Sequence, residues 1–250
     1  MLTKMNSLSY KAELFLLELR SAADQDYILA RIAYRWQLDM QFVWLAHQAI
    51  EKYLKVLLIF NDRSAKRVGH NLREAWQRLT TVVDVPFRFP DLLPDFIGYL
   101  DARYDRYAER PYSVTLDRLV DLDAAVWHLR RFCCNLRGNS EPRLHITRED
   151  RKRLLAQLAD QAYDSHPYRY ILGGGYLEAV RQDHTSSLRA HLLWNNLYFS
   201  RRRRTSLKGR PNRAVNSLLV LYPEIVLELR DKLDFSAETR SRAKDAIRTQ

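Results

Sequence analysis

The chain has little of what non-helical architectures need. Seven glycines and eight prolines in 250 residues leave few turns, which argues against all-β, collagen-like and disordered chains and makes long helices the default. The two cysteines, Cys133 and Cys134, are adjacent, and neighbouring cysteines seldom meet the geometry of a relaxed disulfide. A stapled secreted scaffold is therefore excluded, and a reducing cytoplasm is the expected compartment. No run reaches the roughly 18 apolar residues of a membrane span. The opening stretch, MLTKMNSLSYKAELFLLELR, lacks the uninterrupted apolar segment of an export signal, so neither insertion nor export by that route is expected.

Carboxylates are missing from one long stretch. None occurs between Asp183 and Glu224, where Arg189, Arg201, Arg202, Arg203, Arg204, Lys208, Arg210 and Arg213 stand. The whole chain carries 41 Lys and Arg against 30 Asp and Glu, a formal net charge of +11. Residues 1–140 contribute 20 basic and 17 acidic side chains, and residues 141–250 contribute 21 and 13. The excess thus sits in the second half, with the sign expected of a protein that meets phosphates.

Apolar periodicity predicts an all-α protein. Leu8, Leu14, Phe15, Leu17 and Leu19 make a first, irregularly amphipathic helix expected to stop near Ala22 and Ala23, with Asp24 and Asp26 capping the next. A helical pattern then continues from Tyr27 to Phe60, with a break at Gln37 to Asp39. LAHQAIEKYLKVLLIF is apolar on nearly every side, so that segment should be central. Asn71 opens a short helix, and a proline-punctuated connection (Pro86, Pro90, Pro94) resumes helix after Asp95 until Pro111. A long helix follows from about Val114 to Arg137, ended by Gly138. Further helices are expected from Arg148 to about Tyr163, Leu177 to Phe199, Ala214 to Leu233 and Ala237 to Ile247, with Gly173, Gly174 and Gly175 as a hinge. The expected division is a helical bundle over residues 1–140 and a smaller basic helical region over 141–250.

The stretch DYILARIAYRWQLDMQFVWLAHQAIEKYLKVLLIFN, then GHNL at Gly69 to Leu72, then ARYDRYAERPY at Ala102 to Tyr112, resembles the HEPN family, named for nucleotide binding in higher eukaryotes and prokaryotes. The resemblance covers roughly residues 8–138 and does not extend to the C-terminal 110 residues. It implies an up-and-down helical bundle, commonly a homodimer, in a family that includes RNases, RNA or nucleotide binders, and toxin partners of small nucleotidyltransferases. Catalytic members carry Arg, four to six intervening residues, then His near the start of the last bundle helix. This sequence departs from that pattern: counting from Arg110, the His would fall at Thr115, Leu116 or Asp117. Arg63 and His70 have the spacing but lie in the loop before GHNL, away from the family's catalytic position.

Several residues support more than one reading. His47, Glu51 and Lys55 share a helix face at i, i+4 and i+8, and suit either acid–base or metal chemistry or a Glu51–Lys55 ion pair beside a core or dimer-facing imidazole. No HExxH, second His or Cys cluster completes a metal site. His70 suits a phosphate contact or a bond that turns the backbone. Arg103, Arg106, Tyr107 and Arg110 combine guanidinium groups with a phenol, which fits phosphate contacts and base stacking. Asp101, Asp105 and Glu109 are interleaved with them, so intrahelical salt bridges account for the same charges. RRRRTSLKGRPNR, Arg201 to Arg213, holds seven cations and no acid and is the strongest polyanion-binding signal; a solvated loop is the plainer reading. Trp194, Tyr198 and Phe199 suit base stacking or the core. The three glycines lack the Lys and Ser or Thr of a P-loop, and no cofactor is expected.

The expectation is therefore a non-catalytic, HEPN-like homodimer binding RNA, a nucleotide or another phosphate-bearing ligand. One alternative is a metal-independent endoribonuclease using Arg63 and His70. The other is the interaction half of a toxin–antitoxin or defence assembly, with a small nucleotidyltransferase or another acidic partner on the basic tail.

Overall fold

The computed structural model describes residues 10–82, 89–104, 112–133, 153, 156, 167–169, 172, 175–200, 214–215, 219, 222–232 and 235–248. Its body is a helical bundle of α1 (Tyr10–Arg35), α2 (Asp39–Phe60), α3 (Leu72–Thr80), α4 (Leu92–Tyr104) and α5 (Leu116–Arg130). α2 packs against each of the other four, as its apolar periphery predicts. Its Phe42, Ala46, Ile50, Tyr53, Leu54 and Leu57 are fully buried.

α1 and α2 form a tight hairpin. Gln37 takes φ 61°, Leu38 N–H donates to Ala33 O at 2.9 Å and Gln37 N–H to Tyr34 O at 3.1 Å. This is the Schellman pattern, which satisfies the last carbonyls of α1 and turns the chain within three residues. The expected break at Gln37 is thus present, but the one at Ala22–Ala23 is not. α1 runs through it because Asp24 is a buried partner of α5, described below, and is not a cap. α3 starts where Asn71 accepts a hydrogen bond from Glu74 N–H at 2.8 Å, an N-cap that satisfies an orphan donor.

α4 begins at Leu92, four residues before the expected start. Pro94 falls in its first turn, where the missing N–H would have had no intrahelical partner. α5 ends at Arg130, earlier than Arg137; beyond Cys133, residues 134–150 lie outside the described residues, as does most of the helix expected from Arg148. Only Arg153 and Ala156 of it are described, both helical.

The stretch from Leu177 to Phe199 forms two helices in place of one, α6 (Tyr176–Gln182) and α7 (Ser187–Leu193). Asp183 breaks it by accepting from the backbone N–H and hydroxyl of Thr185, at 2.9 and 2.6 Å, a local Asx turn that competes with helix. Leu177, Val180, Leu192 and Phe199 join the same core as α1, α2 and α5. Ala214–Val215 are not helical: they pair antiparallel with Tyr112–Ser113, in register Tyr112↔Val215 and Ser113↔Ala214. Two helices close the chain, α8 (Glu224–Leu229) and α9 (Ala237–Arg248). The architecture is all-α apart from that two-residue ladder.

Candidate functional site

A chain of titratable side chains links α2, α3 and α4. Glu51, buried on α2, accepts from Lys55 Nζ at 2.5 Å one turn on and from His70 Nδ1 at 2.8 Å. Its other neighbour, the fully buried His47, has Nδ1 3.8 Å away. His47 Nε2 lies 3.3 Å from Asp101 Oδ1 on α4. Asp101 also accepts Leu72 N–H at 3.0 Å and Arg73 N–H at 2.9 Å, so it binds the exposed N–H groups and positive dipole end of α3. Burial alone would raise both carboxyls, but Lys55 and His70 hold Glu51 below its ordinary pKa, and His47 with the two backbone N–H groups does the same for Asp101.

Of the two readings of the α2 face, the geometry matches the ion pair beside a core imidazole: the Glu51–Lys55 pair forms, and His47 is buried. His70 is joined to Glu51 on α2. Its ring, 60% exposed, is tethered to a buried carboxylate, an arrangement that fixes which nitrogen carries the proton. Asp101 crosses from α4 to the start of α3; the side chains it would pair with along its own helix lie outside the described residues.

Arg63 lies in the loop between α2 and α3, exposed, and among the described residues no hydrogen bond or ion pair joins its side chain to His70. The loop is pinned from α3 by Arg78, whose Nη1 donates to Ser64 O at 3.0 Å and Lys66 O at 2.8 Å, and by the buried Val68. Of the other expected site residues, Arg103 is placed on α4 by its backbone, with its side chain outside the described residues. Arg106, Tyr107 and Arg110 lie wholly outside them, as do Arg201, Arg202, Arg203, Arg204, Lys208, Arg210 and Arg213. Among the described residues no group of three His, Cys, Asp or Glu side chains converges on a metal position.

The histidine nearest an arginine on the last bundle helix is spent on packing. Burial, reinforced by the Arg131 guanidinium, lowers the His128 pKa to about 3, so the ring is neutral near pH 7. Its neighbour Arg130 is clamped by two carboxylates. Nε and Nη2 bond Asp24 at 2.7 and 2.9 Å, and Nη1 and Nη2 bond Glu178 at 2.8 and 2.6 Å. Tyr53 O–H adds a bond to Asp24 at 2.5 Å.

A second buried network ties α7 to the bundle. Arg31 pairs with Asp123 and donates to His191 O at 3.0 Å and to Trp194 O. Tyr27 O–H donates to Asp123 at 2.7 Å and accepts from Asn196 Nδ2 at 2.8 Å. Trp194, Tyr198 and Phe199 are core-facing: Tyr198 meets Trp127 at 5.7 Å between ring centroids and Trp194 meets Tyr34 at 6.3 Å. Sequence reading missed both networks, because their partners lie 29 to 169 residues apart and no local spacing marks them. Only the charged residues at otherwise apolar positions, Asp24, Arg31 and Asp123, carried a signal.

Gly175 is a close-approach position at the start of α6. A Cβ there would run into Glu178 Oε2 and Arg130 Nη2, so the absent side chain is what lets the clamp reach the bundle.

Searches of curated proteins and of solved structures found no significant match. A scan against protein families matched residues 16–121 to the family described as HEPN domain. That span runs from α1 into α5 and contains the Glu51, His70 and Asp101 cluster. No described helix is long and apolar enough to cross a membrane. The helical bundle and its central α2 agree with that match: over residues 16–121 the chain is similar to the HEPN domain family.

Proposed function

We propose that this HEPN-domain protein is a non-catalytic homodimer that binds RNA or another phosphate-bearing ligand through the cations flanking the two-residue ladder. The observation that carries the reading is the pairing of Ser113 with Ala214. Arg110 precedes Tyr112 by two residues and Arg213 immediately precedes Ala214. Covalent reach across the ladder therefore keeps the Cα atoms of these two arginines within about 20 Å. The ladder thus joins the ends of the two segments richest in candidate phosphate ligands, Arg103 to Arg110 and Arg201 to Arg213. The second begins just past Phe199, which is packed in the core, so its cations leave from a fixed point on the bundle.

The absence of cleavage rests on the histidines: His70 is not joined to Arg63, and His128 is neutral and buried. Homodimerisation is common among HEPN domains and supports that part of the reading. The test replaces Arg201, Arg202, Arg203 and Arg204 by Ser and measures single-stranded RNA binding across a salt series. Affinity should fall, and the salt slope should drop by about 0.7 for each phosphate no longer neutralised, up to roughly three units. Stability should change by no more than about 0.5 kcal/mol, as for exposed charges. Unchanged affinity and slope, or unfolding of the variant, would each defeat the proposal.

A further inference from the structure

The outer face of α1 carries apolar side chains that the bundle does not cover. Phe15 is 62% exposed, Leu29 46% and Trp36 71%, and the half-buried Ala22 completes a series at seven-residue spacing that runs along α1 and ends on Trp36, the residue just past it, whose N–H still donates to Ile32 O at 3.0 Å. A seven-residue apolar repeat is the seam by which one helix packs on another. Here it is the second seam of α1, since Leu16, Ala23, Tyr27, Ala30 and Tyr34 already face the core.

The series is its own complement when reversed. Turning the series end for end about the point between residues 25 and 26 places position 15 on position 36 and position 22 on position 29. We infer that a second copy of this chain docks here, with the two α1 helices antiparallel about a twofold axis between Gln25 and Asp26. The inference rests on the dimer part of the proposed function and names its face. In that arrangement Phe15 meets the partner's Trp36 and Ala22 meets the partner's Leu29, so bulky side chains close both ends and a small one receives Leu29 near the centre. Such an interface is isologous, as a closed dimer requires.

The area is sufficient. Phe15, Leu29 and Trp36 with Leu14, itself 41% exposed, present on the order of 500 Å² per copy. Two copies would bury about 1,000 Å² from these side chains alone, the lower bound for a specific interface. The charges on this face are mixed: Lys11 and Glu18 are exposed and Asp26, at its edge, is paired with Lys52 at 2.5 Å. A polyanion or an anionic membrane surface would call for an excess of cations; a second copy does not.

Three measurements on the full chain test the arrangement. Light scattering should give twice the 29.6 kDa chain mass, and Leu29→Glu with Trp36→Glu should halve it while the circular dichroism stays helical. Gln25→Cys, a surface change beside the axis, should form an intermolecular disulfide under mild oxidation, mapped to residue 25 by peptide mass. Trp36→Cys should not link to itself, because antiparallel helices hold the two copies of residue 36 about 30 Å apart. Self-linkage at residue 36 without linkage at residue 25 would overturn the antiparallel register. A dimer that survives the double glutamate change and does not link at residue 25 would overturn this face while leaving dimerisation standing. A monomer at micromolar concentration would overturn both, and RNA binding would be unaffected as a separate question.

Discussion

Acid should weaken this fold before its carboxylates titrate, and His128 is the reason. The ring sits on α5 with Trp127 edge-on at 4.8 Å and Tyr198 at 6.2 Å between centroids, and among the described residues its buried Nδ1 has no hydrogen-bond partner. Protonation would place a second buried cation beside Arg131, which is already stacked 4.5 Å from the Trp127 centroid. The folded pKa is about 3, lowered first by burial and then by Arg131, against about 6.5 in an unfolded chain. Between those values the unfolded state binds the proton and the folded state does not, so stability falls as pH falls. The loss is about 1.4 kcal/mol per pH unit, or about 2 kcal/mol from pH 7 to pH 5. His128→Phe keeps a flat apolar ring and removes the proton, so its pH 7 to pH 5 loss should be smaller than the wild type's by that amount in urea denaturation. Glu51, Asp101 and Glu178, whose pKa values are lowered, lose their contribution only below about pH 4.5. His191, also lowered, acts equally in both proteins and cancels. Equal losses in wild type and variant would refute the assignment.

The Arg130 clamp gives two more tests. Arg130→Met would strand Asp24 and Glu178 as buried charges and should cost about 3–5 kcal/mol, with Asp24→Asn in the same chain recovering part of it; chemical denaturation reads both. Gly175→Ala forces a methyl group against Glu178 and Arg130 and should cost about 2 kcal/mol by weakening charged hydrogen bonds. Limited proteolysis should then cut first between α5 and α6, and a variant as resistant as the wild type would show that the clamp tolerates the methyl.

What the sequence determined by itself is whatever depends on neighbours along the chain. The low glycine and proline content and the apolar period set an all-α fold. The crowding of apolar residues in LAHQAIEKYLKVLLIF made α2 central, and Asn71 marked the start of α3, because a cap and the N–H it satisfies are three residues apart. The AHQAIEKYLK and GHNL motifs pointed to the family, and the i, i+4 spacing put Glu51 beside Lys55. Tertiary structure decided everything in which one residue type serves two purposes. Asp24 reads as a cap and is the buried partner of Arg130, so α1 runs on where a break was expected. Asp101 reads as half of an intrahelical ion pair, and its place in the fold also lets it hold the N-terminus of α3. His70 finds Glu51 nineteen residues away, a pairing set by how α2 and the loop meet. α1 looked irregular because it is apolar on two faces, and local spacing does not say which face the bundle covers. That choice belongs to packing: a helix buries the face its neighbours reach, and α2, α5 and the α6–α7 segment all approach α1 from the side opposite Phe15, Leu29 and Trp36.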